Sequence, residues 1–398
     1  MSKACLLEDR ENIDRYIGKA EGDEPGDCIV FFGGVHGNEP AGYVALQRFF
    51  KDFTRWELHH KIRGSIFGIT GNITGLKKNM RFIKSDLNRI WTPKILKDTN
   101  DEEFKNLSDE FSQQKEILDI INHLVNTRKC HYRFVDLHTT SGPTIAFVTI
   151  NDTIANRDLA QQLPIPTVLG IEEYLEGTIM DFINDLGYPA IGIEAGQHCD
   201  ERSVELHLAS IWVILVANKT INKEDIPEYE KHFQLLKSAA GFEFDQVYEV
   251  KHREAVVLED EFTMLPNFNN FQKIKNKELL ASTRNGKVKA PSTGKIFMPL
   301  YQKQGAEGFF VIKKINLFWL NLSIKIRSGK METFMISLPG INRDPERANV
   351  LVVNKTFARF FSTDFMHLLG YRRVQRNGSI VCFSKREVPE GNWPYYLK

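Results

Sequence analysis

Residues 31–42, FFGGVHGNEPAG, contain a histidine and a glutamate three positions apart. His36 and Glu39 follow a short apolar run that we interpret as a buried strand, and Pro40 lies where a helix is expected to begin. Imidazole nitrogens and carboxylate oxygens are both ligands that Zn²⁺ accepts. Because the H-x-x-E spacing occurs in many loops by chance, the hypothesis of a zinc site also depends on residues elsewhere in the chain.

A third candidate ligand, His138, lies in FVDLHTTSG (134–142) at the end of another predicted strand. In open α/β sheets the carboxyl ends of the strands line the ligand crevice, so His36, Glu39 and His138 could meet there. Two imidazoles and one carboxylate leave a fourth position open on the metal. A Zn²⁺ ion held in this way can lower the pKa of a bound water to about 7 and polarise a carbonyl group.

Asp136 precedes His138 by two residues, so both side chains should project from the same face of one strand. We expect Asp136 to accept the free N–H of a zinc-bound imidazole and to fix its orientation, and we assign this imidazole to His36. In the alternative interpretation, Asp136 and His138 form a buried hydrogen-bonded pair without a metal.

The segment RFIKSDLNRIW (81–91) concentrates polar and charged residues. Arg89 could hold a substrate carboxylate with its planar guanidinium, and Asn88 could supply a further donor. Arg81 could stabilise negative charge that develops on an attacked carbonyl oxygen. We expect Asp86 to support an arginine rather than to touch a substrate. The alternative is an ordinary charged loop.

Glu194 ends a strongly apolar predicted strand in GYPAIGIEAGQH (187–198). Burying a carboxylate there is costly unless it is paired or used in chemistry. A glutamate in this position can take a proton from an attacking water and return it to the leaving nitrogen. A structural salt bridge with a nearby arginine is the alternative.

The elements that must position these residues follow an α/β pattern, since apolar runs alternate with amphipathic helical patterns from about residue 28 to residue 220. The predicted strands are Cys28–Phe32, Gly64–Thr70, Tyr132–Leu137, Thr144–Ile150 and Ala190–Glu194. The predicted helices are Asn38–Phe53, Glu102–Asn126, Gly177–Leu186 and Ser203–Asn218. The second of these helices has an apolar stripe at helical spacing, formed by Ile117, Leu118, Ile121, Leu124 and Val125.

With 398 residues, the chain is longer than one hydrophobic core usually fills. We place a first domain at residues 1–240. Alternating β-branched and aromatic residues, interrupted by turn signals, indicate a small β domain at residues 245–315. Residues 316–398 form a C-terminal extension with strand-like and helical pieces, among them NLSIKIR and TDFMHLLGY, and its role is not predicted.

Composition argues against several classes of partner. Lys plus Arg (52) nearly balances Asp plus Glu (51), so we predict no nucleic-acid partner. The N-terminal segment has no signal-peptide core and the longest apolar stretch is interrupted by polar residues, so we predict no membrane segment. The five cysteines form no C-x-x-C pair, which is typical of a reducing compartment. We expect a cytoplasmic protein and leave a homo-oligomer open.

Four motifs occur in the order H-G-N-E, R-x₄-D-L-N-R, D-L-H and G-I-E-A-G. In this order they resemble the succinylglutamate desuccinylase and aspartoacylase family of zinc hydrolases, which are relatives of the zinc carboxypeptidases. The resemblance covers roughly residues 28–315, and four ordered motifs are far more specific than one. It implies a three-layer α/β/α sandwich around a mixed sheet, with the small β domain covering the cleft of the catalytic domain.

The resemblance also implies roles for individual residues. One Zn²⁺ per chain would be held by His36, Glu39 and His138. Glu194 would be the general base and Arg81 the group that polarises the carbonyl. The two residues expected to contact a carboxylate of the substrate are Asn88 and Arg89.

The implied activity is hydrolysis of the amide bond of an N-acyl amino acid, or of a similar small carboxylate-bearing amide, by zinc-activated water. A carboxypeptidase-like metallopeptidase is the first alternative, although a β domain that narrows the cleft argues against long peptides. The second alternative is a non-catalytic module that binds zinc or a ligand. The presence of Glu194 together with Arg81 disfavours it, because binding alone needs neither group.

Two departures from the family leave the substrate open. Aspartoacylases carry a further substrate-binding arginine shortly before the base glutamate, and the corresponding segment here, GTIMDFINDLGYPAIGIE, contains none. The tyrosine that the family's β domain lends to the site has Tyr301 as its nearest candidate. The acyl group and the amino acid are therefore not predicted.

Overall fold

The structure of the chain is a computed structural model. The structure describes residue 7 and residues 9–98, 108–198, 200–302, 305–327, 335–345, 349–354, 363–377 and 380–394. The first part of the predicted helix at Glu102–Asn126 lies outside them.

The strands within these ranges form three sheets. In chain order the strands are Tyr16–Glu21 (β1), Glu24–Gly33 (β2), Arg63–Thr70 (β3), Tyr132–Thr140 (β4), Ala146–Ile150 (β5), Thr167–Leu169 (β6), Ala190–Gln197 (β7), Val247–Ala255 (β8), Thr263–Met264 (β9), Lys273–Ile274 (β10), Leu279–Thr283 (β11), Gly286–Lys289 (β12), Gly294–Phe297 (β13), Glu307–Lys314 (β14), Ile341–Arg343 (β15), Val350–Asn354 (β16), Tyr371–Asn377 (β17) and Ile380–Lys385 (β18). The large sheet has eleven strands in the order β1-β3-β2-β4-β7-β5-β6-β8-β14-β13-β10.

The large sheet is mixed. Its central strands β3, β2, β4 and β7 are parallel, whereas β1 and β5 pair with them antiparallel. Since parallel strands end at the same edge, the segments that follow β2 and β3 and the last residues of β4 and β7 meet there. This edge carries the segments that the sequence singled out for chemistry.

Helices cover both faces of the large sheet. In chain order they are Ala41–Arg55 (α1), Ile73–Lys78 (α2), Pro93–Asp98 (α3), Asp109–Thr127 (α4), Ile154–Ala160 (α5), Ile179–Asp185 (α6), Glu201–Ala217 (α7), Tyr229–Ala240 (α8), Leu317–Arg327 (α9) and Thr363–Leu368 (α10). Helices α1, α7 and α8 pack in one buried cluster with one face of the sheet. Helices α4 and α6 pack in a second cluster on the other face. The predicted three-layer α/β/α fold is therefore confirmed.

The sequence patterns located the central elements well. The five predicted strands correspond to β2, β3, β4, β5 and β7, and the four predicted helices correspond to α1, α4, α6 and α7. The predicted apolar stripe of α4 faces the core, where Ile117 and Ile121 are fully buried. The sequence did not predict α8. It also did not predict the short strand β6, because three residues give too short a pattern to recognise.

Two strands extend further than predicted. Strands β4 and β7 continue past His138 and Glu194, because the two strands stay paired as far as Thr140 and Gln197. The pairing shifts its register between His138 and Thr140. Both functional candidates therefore lie inside their strands, near the carboxyl ends, rather than at the last residue.

The region predicted to be rich in strands extends the large sheet. Strand β8 pairs with β6, and β14, β13 and β10 follow it antiparallel. A separate sheet of three strands has the order β12-β11-β9. We propose, as the sequence predicted, that residues 245–315 form a small β domain beside the catalytic domain at 1–240.

The residues after 316 combine helices α9 and α10 with an antiparallel sheet of four strands, in the order β15-β16-β18-β17. The segment NLSIKIR lies in α9, and TDFMHLLGY begins with α10. This part has a buried apolar cluster of its own, which includes Leu351 and Phe383. Within the described ranges, no helix has both the length and the apolar character needed to cross a bilayer.

Buried ion pairs connect the C-terminal residues to the rest of the chain. Arg327 and Arg386 have side chains that are only 2% exposed, and both contact Asp152, at 2.7 and 3.5 Å respectively. Arg157 binds the other oxygen of the same carboxylate. Burial alone would raise the pKa of Asp152, but the three guanidinium groups hold it well below its ordinary value. Asp152 is therefore a central anion of this contact.

We predict that Asp152→Ala lowers the free energy of unfolding by about 3–5 kcal/mol, because three buried guanidinium groups lose their shared counter-ion. Chemical denaturation at pH 7 measures this loss. Since the folded-state pKa of Asp152 is depressed, its contribution is present above the ordinary aspartate pKa of about 3.9 and is lost as the pH falls further. The difference between variant and wild type should therefore shrink in acid.

Glu205→Ala is the matched control for this prediction. Glu205 accepts a hydrogen bond of 2.6 Å from Arg48, and the two side chains are 46% and 38% exposed. An exposed pair of this kind contributes at most about 1 kcal/mol. Equal losses in the two variants would contradict the assignment of Asp152 as the counter-ion of the contact.

Candidate metal centre and active site

His36, Glu39 and His138 form a compact, buried cluster. Glu39 accepts hydrogen bonds through both oxygens, since Oε1 lies 2.9 Å from His36 Nδ1 and Oε2 lies 3.1 Å from His138 Nδ1. One ligand atom from each residue lies within 4.8 Å of the others. The three side chains are between 3% and 9% exposed. The structure thus brings together the three residues that the sequence selected as metal ligands.

The loop that carries His36 and Glu39 is held in place by close backbone contacts. Strand β2 ends at Gly33, and helix α1 begins after Pro40, as the sequence indicated. A Cβ atom at Gly37 would lie 2.0 Å from the backbone of Gly75, so only glycine permits this approach. The amide of Gly37 also donates a hydrogen bond of 3.1 Å to the carbonyl of Arg81. The loop therefore positions the segment after β3 as well.

Each histidine also has a second carboxylate partner. His138 Nε2 lies 2.6 Å from Asp136 Oδ2, and His36 Nε2 lies 3.2 Å from Asp86 Oδ1. The expectation that Asp136 orients His36 is therefore wrong. Asp136 and His138 are alternate residues of one strand, so their side chains share a face and meet directly.

The charges in the cluster support one another. Burial alone would raise the pKa of Glu39, but His36 and His138 hold it well below its ordinary value. Burial alone would lower the pKa of His138, but Asp136 and Glu39 hold it well above its ordinary value. The backbone amide of Thr139 donates a further hydrogen bond of 2.9 Å to Glu39 Oε2. A carboxylate is thus kept ionised in a buried position.

This donor set fits a zinc ion. The two Nδ1 atoms face the Glu39 carboxylate, while the two Nε2 atoms are bound by Asp86 and Asp136. Outer carboxylates of this kind fix the orientation of metal-bound imidazoles in many zinc sites. His36, Glu39 and His138 could therefore hold a metal ion together.

Arg81 lies next to the cluster. Its Nη1 is 3.5 Å from Glu39 Oε1, and its Nη2 is 3.0 Å from Asp86 Oδ2. As the sequence suggested, Asp86 supports an arginine, although it also contacts His36. Burial alone would lower the pKa of Arg81, but Asp86 and Glu39 raise it. The Arg81 guanidinium therefore remains charged although it is only 10% exposed.

Asn88 and Arg89 lie in the short helical turn after Asp86. The amide of Ile179 donates a hydrogen bond of 3.0 Å to Asn88 Oδ1, and Asn88 Nδ2 lies 3.4 Å from His138 Nε2. Arg89 Nη1 donates a hydrogen bond of 2.8 Å to the carbonyl of Asn88, and Arg89 Nη2 lies 3.4 Å from Glu307 Oε2. Asn88 is thus fixed beside the histidines, and Arg89 faces a carboxylate that follows far later in the chain.

Glu194 lies beside His138 on the neighbouring strand β7. It is 8% exposed, and its Oε2 has no hydrogen-bond partner among the described residues. Burial raises the pKa of Glu194 to about 8. Within the described part of the chain it forms no ion pair with an arginine, which was the alternative reading of this residue. A buried carboxyl group of this kind is suited to proton transfer.

Most of these side chains line one cavity of about 130 Å³, whereas Asp86 lies outside it. The predicted site residues that line it are His36, Glu39, Arg81, Asn88, Arg89, Asp136, His138 and Glu194. The sequence motifs therefore identified residues that share one small space.

Other lining residues were not found from the sequence. Gln302 Oε1 accepts hydrogen bonds from Asn38 Nδ2 at 3.1 Å and from His198 Nε2 at 3.3 Å. His198 is held on its other side by Thr139 Oγ1 at 2.8 Å. Gln302 carried no signal in the sequence, because it reaches the site across 264 positions from Asn38.

Tyr301 does not line the cavity. Its hydroxyl accepts a hydrogen bond of 3.0 Å from the amide of Phe268 and lies 2.8 Å from the carbonyl of Leu265. The ring packs against Gly142. Its two neighbours, Leu300 and Gln302, line the cavity instead.

A family comparison agrees with this geometry. Residues 25–217 match the model of the succinylglutamate desuccinylase/aspartoacylase catalytic domain. The matched range contains the segments H-G-N-E, D-L-N-R, D-L-H and G-I-E-A-G. No curated protein matches the chain in sequence.

Solved structures share the fold at low sequence identity. A succinylglutamate desuccinylase/aspartoacylase from Rhodobacter sphaeroides is 14% identical, with a TM-score of 0.54, and the match covers 75% of this chain and 88% of that one. A succinylglutamate desuccinylase from Vibrio parahaemolyticus is 15% identical, with a TM-score of 0.52 and coverage of 74% and 83%. A product-bound ectoine utilization protein from Ruegeria pomeroyi is 14% identical, with a TM-score of 0.51 and coverage of 74% and 87%.

These structures are similar in fold alone, whereas the family match rests on the sequence of the segment that forms the site. Together with the ordered motifs, that match classifies this part of the protein. Residues 25–217 form a catalytic domain of the succinylglutamate desuccinylase/aspartoacylase family.

Proposed function

We propose that this chain is a zinc-dependent hydrolase that cleaves the amide bond of a small N-acyl amino acid, or of a similar carboxylate-bearing amide. The observation that carries the proposal is the buried cluster of His36, Glu39 and His138 with Glu194 beside it. The family that residues 25–217 match supports the same class of reaction.

His36, Glu39 and His138 would hold one Zn²⁺ per chain. When bound, the ion would supply a Lewis acid that acidifies a water and polarises a carbonyl, and a positive charge that favours the ionised form of Glu194. Asp86 and Asp136 keep the two imidazoles in their orientation through Nε2. The chain itself therefore supplies a preformed donor set with outer support.

Glu194 is proposed to move the proton. Its carboxylate takes a proton from the attacking water and passes it to the nitrogen of the leaving amine, so one residue acts as base and then as acid. The unpartnered Oε2 supports this role, because no described residue competes for the oxygen. The buried position keeps the carboxyl group away from bulk water.

The arginines are proposed to recognise negative charge. Arg81, whose charge is secured by Asp86, stabilises the oxyanion that forms when water attacks the carbonyl carbon. Asn88 and Arg89 bind a carboxylate of the substrate. Binding of that carboxylate would replace the contact of Arg89 with Glu307 at 3.4 Å.

The size of the cavity supports a small-molecule substrate. At about 130 Å³, the space beside the cluster suits a small amide better than a long peptide. For the same reason, a carboxypeptidase-like activity is the weaker candidate. Assays with N-acyl amino acids and with peptides distinguish the two activities. We propose neither a nucleic acid nor a membrane as a partner.

We predict that Glu194→Gln lowers kcat by at least about 100-fold on any N-acyl amino acid that the wild type hydrolyses, because the amide cannot accept the proton of water. Steady-state kinetics measures the loss, and elemental analysis should find zinc in stoichiometric amount in both proteins. Glu254→Gln serves as the control, because the Glu254 carboxylate lies outside the cavity. This variant should retain kcat. Unchanged turnover in Glu194→Gln would remove this residue from the mechanism.

We predict that His138→Ala binds less than half of the zinc found in the wild type, because only two of the three ligands remain. Elemental analysis after dialysis measures the metal content. His60→Ala is the matched control, since His60 has a side chain that is 86% exposed and lies outside the cluster. Stoichiometric zinc in His138→Ala would rule out His138 as a ligand.

We predict that Arg89→Ala raises KM about 10-fold or more for carboxylate-bearing amides and changes kcat little, because a charge-assisted hydrogen bond is lost. Arg253→Ala is the matched control, since Arg253 binds the other oxygen of Glu307 at 3.2 Å but does not line the cavity. Kinetics with a carboxylate substrate and its neutral analogue gives the measurement. An equal change for both substrates would contradict carboxylate binding by Arg89.

Zinc at one ion per chain without hydrolysis of any tested amide or peptide would instead indicate a non-catalytic binding module.

A further inference from the structure

The cavity has an inner end that the residues discussed so far do not occupy. Ala190 and Gly192 precede Glu194 on β7 and share its face of the sheet, so the cavity extends from the strand ends into the domain. Arg81 and Arg89 line both this cavity and the broad surface cleft, and therefore lie at its mouth. The inner wall is formed by other side chains, namely Thr149, Asn151, Glu172, Thr178, Met180 and Asp181.

Glu172 is a buried carboxylate of this wall with one oxygen left unpaired. The residue is 7% exposed, and its Oε1 accepts a hydrogen bond of 2.9 Å from Arg386 Nε. Its Oε2 is buried and has no hydrogen-bond partner among the described residues. An unpaired carboxylate oxygen in such a position costs free energy unless a ligand supplies a donor.

Asp181 is the second carboxylate of the wall. Asn151 donates a hydrogen bond of 2.8 Å to its Oδ1, and its own amide donates one of 3.0 Å to Thr178 Oγ1, so the group is held in a fixed position. Burial raises the pKa of Asp181 to about 7, and the charge of Glu172 also raises it. A cation beside the two carboxylates would stabilise their ionised forms.

The nearest arginines each already donate to another carboxylate and stay outside the cavity. Arg386 binds Glu172 and also contacts two further carboxylates, Glu173 at 2.9 Å and Asp152 at 3.5 Å. Arg372 lowers the pKa of Asp181, but it donates to Asp185 at 2.9 Å. Neither arginine lines the cavity. The inner wall therefore presents carboxylate, amide and hydroxyl groups, and a cationic group is the ligand that complements them.

We propose that the inner end of the cavity binds a protonated amine, so that the substrate carries an ammonium group at the end that enters the domain. Asp181 and Glu172 accept hydrogen bonds from this ammonium, while the carboxylate of the substrate lies near Arg89 at the mouth. The proposal rests on the function proposed above and specifies its substrate as a small amide that carries both charges. Arg386, which lies after residue 316, acts as a positioning residue because it fixes Glu172.

The test uses ligands that differ only at one end. The zinc-reconstituted, full-length protein is titrated calorimetrically with 5-aminopentanoate, with its neutral analogue hexanoate and with the dicarboxylate adipate. The same three end groups are repeated with one methylene fewer and with one more. We expect the amino acid to bind at least about 10-fold more tightly than both analogues at one or more lengths, because two carboxylates gain a charged donor.

The two variants to compare are Asp181→Asn and Asp158→Asn. Asp158 lies on helix α5, is exposed and does not line the cavity. Asp181→Asn should reduce the preference for the amino acid over hexanoate at least about 5-fold and leave hexanoate binding unchanged. Asp158→Asn should leave the preference intact. Thermal unfolding of each variant confirms that it is folded.

The outcomes separate this inference from the proposed function. Equal affinities for the three end groups at every length, or an equal loss for amino acid and hexanoate in Asp181→Asn, would overturn the ammonium site. Hydrolysis of an N-acyl amino acid in the absence of any preference would overturn this inference alone. A preference in calorimetry without hydrolysis of any amide would overturn the proposed function and retain the ammonium site.

Discussion

The carboxylate of Glu39 is the group on which the site depends. It is 2% exposed and accepts hydrogen bonds from His36, from His138 and from the amide of Thr139. A carboxylate can be buried so deeply only when all its oxygens are compensated. Because its partners come from the loop after β2 and from strand β4, this one group fixes two neighbouring segments of the sheet edge and sets the distance between the two imidazoles.

The sign of the charged side chains differs between the two ends of the cavity beside this cluster. Arg81 and Arg89 lie at the mouth, whereas Glu172 and Asp181 lie at the inner end. The residues after 316 take part in this arrangement, since Arg386 binds Glu172 and is itself almost completely buried. The C-terminal residues therefore do more than add a small sheet, because their ion pairs determine which carboxylate oxygen is left for a ligand.

Much of this could be inferred from local patterns. Apolar runs located the central strands, and the rule that parallel strands end at one edge was enough to bring His36, Glu39, His138 and Glu194 into one neighbourhood. The predicted partner of Asp136, His36, was wrong. Asp136 could reach either of two imidazoles, and the direction of its side chain decides between them. Tyr301 was the candidate from the later segment, yet its hydroxyl is bound elsewhere and Gln302 lines the cavity.

The sequence by itself determined the chemical types of the donors and the strands that carry them, because residue type and periodicity are local properties. The tertiary structure alone decided which groups are paired and which are left free. Glu172 and Asp181 gave no signal in the sequence, since their roles depend on Arg386 and Asn151, which reach them across 214 and 30 positions. Such contacts depend on the order of strands in the sheet and on the packing of distant segments, and no local pattern encodes either.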